Sequence, residues 1–113
     1  MKDMRKRIQY KDKEYPIVFN LNVMEEIQEE YGSIEKWGEL TAGEEANAKA
    51  VIFGFTAMIN EGIDIENEEN GTDIKALTLK QVGRMLTEIG IEKATQRMKE
   101  TVEESVQSDE KNG

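Results

Sequence analysis

The chain has 113 residues, 24 acidic against 15 basic, and a net charge of −9, a size that suits one domain. It holds neither cysteine nor histidine, which excludes disulfides, thiolate nucleophiles, zinc fingers, iron–sulfur centres and the usual neutral-pH proton shuttle. No apolar run approaches the ~20 residues needed to cross a bilayer, and the surplus of carboxylates repels nucleic-acid backbones.

The charge is unevenly spread. Residues 1–13 carry six bases against two acids, a net +4, while the other hundred carry nine bases against 22 acids, a net −13. The basic start Met1–Arg7 runs into Ile8-Gln9-Tyr10 rather than into a signal-peptide apolar core, so an intracellular protein is expected. Ile8 and Tyr10 alternate with polar neighbours, as do Tyr15, Ile17 and Phe19 after the break at Lys11-Asp12-Lys13. This pattern predicts a β-hairpin, with Pro16 requiring that the second run be an edge strand or carry the proline at an unpaired position. Two strands alone are marginal in water, so helices must cover a face.

Asn22 with Glu25 three residues on predicts a capping box and a helix over Val23–Tyr31, ended by Gly32. Ser33 caps a short helix with Ile34, Trp37 and Leu40, and Thr41-Ala42-Gly43 punctuates the chain. A third helix is expected from about Glu44 to Asn60. It is apolar almost all round, as a central buried helix is, and exceeds the length of the competing strand at Val51–Phe55. Gly54 inside it points to close packing against a neighbour. Residues 61–77 read as an acidic connection, with six acids and no base from Glu61 to Asp73 and a turn at Asn70-Gly71. Thr78 and Gln81 form a second capping box, opening a helix with Leu79, Val82, Met85, Leu86 and Ile89 on one face and Gly90 at its end. A last helix from about Glu92 to Val106 carries Ala94, Met98, Val102 and Val106 at four-residue steps, and 107–113 form a polar, frayed tail. The fold expected is α+β and mainly helical: an N-terminal hairpin and about five helices in one domain over 1–106.

The chemistry is sparse. Asp64, Glu66 and Glu68 imitate the first positions of a calcium loop, but Glu69 and Lys75 stand where glycine and glutamate are required, so a solvated loop is expected. Neither phosphate-loop glycine pattern occurs. No catalytic, metal or cofactor residues are assigned, and no enzyme activity is expected. The basic head either protects a strand edge, touches phosphates or lipid headgroups, or lies against the acidic body. The stripe on the last helix either packs on the domain's own core, the favoured reading, or forms a seam with a partner helix. For a partner contact, Met98 and Val102 are the candidates, with Trp37 as an anchor.

The segments Lys13-Glu14-Tyr15-Pro16-Ile17-Val18-Phe19, Asn22-Val23-Met24 and Glu29-Glu30-Tyr31-Gly32 resemble the start of phage and prophage tail assembly chaperones of Gram-positive hosts. Val51–Gly62 and Leu79–Gly90 are similar to the same family, so the likeness covers most of the chain. The resemblance implies a non-enzymatic cytoplasmic protein that binds the tape-measure protein, and tail-tube subunits with it, and is absent from the finished virion. It also implies a frameshifted longer product, for which Glu110-Lys111-Asn112 offers A-rich codons. Self-association stays open. The rival readings are a structural completion or connector protein retained in the virion and an acidic decoy that mimics DNA, with no nucleic-acid or membrane partner expected otherwise.

Overall fold

Alternation in the first twenty residues gives an antiparallel hairpin of β1 (Lys6–Tyr10) and β2 (Lys13–Ile17), the first part of a computed structural model that describes residues 5–42 and 45–112, with side chains up to Ser105. Tyr10 pairs with Lys13, so the connection is the two residues Lys11-Asp12, and Lys11 takes a left-handed φ of 57° to close it. Cross-strand partners share a face. Arg7 and Pro16 therefore point one way, and Lys6, Ile8, Tyr15 and Ile17 the other. With only two strands in the sheet, Pro16 stands on an edge, as its missing N–H requires.

Five helices follow, so among the described residues the fold is α+β and mainly helical. The first, α1 (Leu21–Tyr31), starts two residues before the expected position. Asn20, not Asn22, is its N-cap, accepting the Val23 N–H at 3.2 Å. Asn22 lies inside the first turn, and its amide donates to Glu61 at 3.0 Å, so the Asn22–Glu25 capping box does not form. Gly32 closes the helix at φ 92°, and Ser33 caps α2 (Ile34–Thr41).

The largest departure from expectation is α3 (Ala48–Asn70). Its N-cap is Asn47 rather than a residue near Glu44, which lies outside the described residues. More importantly, it runs ten residues past Asn60, so most of the acidic connection is helix. At 23 residues it is about 35 Å long. Ile59 and Ile63, one turn apart, keep it buried past Asn60, and Gly71 ends it in the left-handed region at φ 66°.

The connection that remains, 71–78, is laid back along α3 by two asparagines seven residues apart. Asn67 Oδ1 accepts the Ile74 N–H at 3.0 Å and its Nδ2 donates to the Ile74 carbonyl at 2.9 Å. Asn60 treats Leu77 in the same way, at 2.8 and 2.9 Å. Each pair imitates a ladder contact with a side-chain amide. The chain is thereby delivered to α4 (Leu79–Ile89), capped by the Thr78–Gln81 box, and then to α5 (Ile91–Asn112). Helical backbone thus continues through 107–112, beyond the spaced apolar positions; the side chain of Val106 lies outside the described set. Val51, Phe55, Met58 and Ile59 of α3 form the centre of the core, with Val23 and Ile27 of α1, Ile17 of the hairpin and Val82 and Met85 of α4 against them.

Candidate protein-binding grooves

The acids come first, because their surroundings decide what they can do. Among the described residues, no three carboxylates converge as a metal site would require. Glu66 instead receives the Arg7 guanidinium through two hydrogen bonds, at 2.8 and 3.1 Å, and Arg5 at 3.1 Å. Arg5 also reaches Glu69 at 3.0 Å. The hydrogen bonds from Arg7 hold the Glu66 carboxyl below the usual carboxylate range, against an opposing push from burial, and Arg5 adds to the lowering. On the opposite face of the hairpin, Lys6 lies 3.8 Å from Glu100 and 3.3 Å from Glu104. The described part of the basic head therefore lies against the acidic body; Lys2 is outside the described residues. Near the start of α1, burial pushes the Glu26 carboxyl up, with the charges of Glu61, Glu25 and Glu29 adding to it.

Among the described residues, two of the concave surfaces lined by apolar side chains bear on partner binding. The first lies between α2 and α5, a groove of about 410 Å³ that brings together Trp37, Met98 and Val102. Trp37 is 3% exposed, and its Nε1 donates to the Ala50 carbonyl at 3.0 Å. The indole lies on Gly54, where an added Cβ would come within 3.0 Å of Cε2 and 3.1 Å of Nε1. The close packing expected at Gly54 is present, and its partner is Trp37. Met98 is 2% exposed and Ala94 is fully buried, so the inner part of the stripe on α5 belongs to the domain's own core. Val102 is half-buried and is the one of the three that offers surface.

The second is a trough of about 700 Å³ between α3 and α4, and periodicity did not reveal it. Ile52 and Phe53 of α3 and Gly83 of α4 form its floor, and Leu79 stands exposed at one end. Phe53 is backed by the Tyr31 ring, edge-on at a centroid distance of 5.6 Å. A Cβ on Gly83 would sit 3.4 Å from Ile52 Cδ1, an ordinary contact, so nothing presses on this glycine. A smaller cavity of about 300 Å³ shares Ile52, Gly83 and Thr87 and continues the trough to Ile91, also exposed. The rim holds Lys49, Lys80 and Arg84, and no carboxylate lines it. Leu79, expected on the apolar face with Val82, Met85 and Leu86, is instead exposed at the first position of α4. The signal available in the sequence was Ile91, an apolar residue outside the four-residue stripe of α5.

No helix among the described residues is long and apolar enough to cross a membrane. Comparison with known protein families, curated proteins and solved structures finds no match.

Proposed function

We propose that this chain is a non-enzymatic phage tail assembly chaperone that holds the tape-measure protein, with tail-tube subunits, in the host cytoplasm before the tail is complete. The resemblance of the hairpin, the first helix and the segments Val51–Gly62 and Leu79–Gly90 to that family supports the reading. The observation that carries it is the open apolar trough between α3 and α4, a concave surface of the kind that receives an amphipathic helix. The net charge of −9 suits a protein that keeps an aggregation-prone partner in solution.

Co-expression with the tape-measure protein encoded in the same gene cluster tests the proposal. The expected result is a soluble complex that co-purifies, with the chaperone absent from purified particles. Stoichiometric recovery of this chain in particles would instead establish the completion or connector reading. The acidic-decoy reading is less attractive, because Glu66 and Glu69 are engaged by Arg5 and Arg7 rather than presented as a phosphate-like array.

A further inference from the structure

We infer that the α3/α4 trough selects an amphipathic helix whose apolar stripe is flanked by acidic residues. This deepens the proposed function and rests on its protein-holding part. Three features of the trough point the same way.

The first is shape. Leu79 and Thr87, both lining α4 residues, are eight positions apart, about 12 Å along the axis. The anchors i, i+3, i+4 and i+7 of an incoming helix span about 10.5 Å, which the trough accommodates. Both walls are helices whose backbone groups bond internally, so no sheet edge is on offer for an extended strand. The trough is also open along its length, whereas a small amphiphile is held where most of its surface is enclosed.

The second is chemistry. The floor is apolar, with Ile52 and Phe53 accessible and Leu79 53% exposed, so an occupant gains by burying apolar side chains there. Gly83 keeps the floor low enough for side chains to enter.

The third is charge, and it selects among helices. Lys80 and Arg84 have no ion-pair partner among the described residues, and Lys49 meets only Glu30, in an exposed contact at 3.5 Å. By contrast, Arg5, Lys6 and Arg7 are matched by glutamates of α3 and α5. On an acidic chain, the trough is thus a local positive rim around an apolar floor. A basic helix placed there would bring like charges together as it docked, and an acidic one would neutralise them.

Two fluorescein-labelled helical peptides test this, identical in their apolar i, i+3, i+4, i+7 positions and flanked by glutamate in one and lysine in the other. Anisotropy is read with the full chain. Three exposed charge pairs at a few tenths of a kcal/mol to 1 kcal/mol each correspond to about tenfold tighter binding of the glutamate peptide at low salt. That preference should shrink as salt rises. The Lys80→Glu, Arg84→Glu double variant should reverse it, and Leu79→Asp should abolish binding of both peptides. Circular dichroism should stay unchanged, since Lys80, Arg84 and Leu79 are exposed. Equal binding of the two peptides overturns the inference, as does a preference that survives the charge reversal. A dimer in sedimentation that Leu79→Asp dissociates also overturns it, because a second copy then occupies the trough. Tape-measure capture that is unaffected by these substitutions sinks the inference and leaves the chaperone reading standing. Peptide selectivity without tape-measure capture does the converse.

Discussion

Gly54 and Gly83 are both helical glycines, yet one lies under a tryptophan and the other at the floor of an open trough. On the sealed side of α3, Trp37 rests on Gly54 and Pro16 on Gly62, where an added Cβ would fall 2.9 Å from the proline ring. The Arg7–Glu66 pair closes the same hairpin side further along. On the open side, Gly83 meets only the end of Ile52, and no large residue of either helix fills the gap. A small residue seals a seam when its partner is large and rigid, and leaves a trough when it is not. Stability is concentrated on the first side and surface for recognition on the second.

That contrast can be broken by substitution. Trp37→Ala should have the largest effect, a loss of about 3–5 kcal/mol in urea unfolding followed by circular dichroism, because it empties the sealed seam and removes the indole hydrogen bond to the Ala50 carbonyl. Gly54→Ala should cost about 1–3 kcal/mol through overpacking, more than offsetting its gain in helix propensity. If Gly54→Ala is neutral, the indole is free to move aside and the seam is not sealed. Glu66→Gln should cost about 1 kcal/mol at pH 7. The sign with pH follows from the lowered carboxyl: its stabilisation is complete above the ordinary carboxylate range and is lost as pH falls through its own lower value. Wild type and Glu66→Gln should therefore converge in acid, and a constant gap would assign the effect to packing instead. Gly83→Ala should be the mildest, a gain of up to about 1 kcal/mol from propensity, since its Cβ meets no more than the Ile52 methyl. A loss there would show that the trough is as tight as the opposite seam.

Local chemistry was legible in the sequence, and non-local partnership was not. The Ser33 cap, the Thr78–Gln81 box and the terminators Gly32 and Gly90 depend on neighbours within four residues, the hairpin on pairs no more than eleven apart, and all stand where expected. The second half of α3 was missed because six acids without a base read as a solvated loop. The bases that support it, Arg5 and Arg7, lie 59 to 64 positions earlier in the chain. Ile59, Ile63 and Gly71 together were the helical signal. Asn20 lost to Asn22 because a glutamate three residues after Asn22 imitated a capping box; Asn20 and Asn22 instead share Glu61 across the seam. Trp37, Met98 and Val102, named as candidates for a partner contact, line one groove, but the burial of two of them depends on how α2, α3 and α5 meet. The trough depends on what two helices leave unfilled, which no single helix's periodicity records.

The hairpin has a further consequence, one of timing. Arg97 donates to the Arg7 carbonyl at 3.1 Å and Ser105 Oγ to the Phe19 carbonyl at 2.9 Å, across sequence separations of 90 and 86. At about 5–20 residues per second, the ribosome delivers these donors roughly 4–18 s after the carbonyls they bind. The hairpin is thus covered in two stages, by α3 and then by α5. Pro16 and Arg7 meet Gly62 and Glu66 as soon as α3 forms, whereas the Arg7 and Phe19 carbonyls wait for α5.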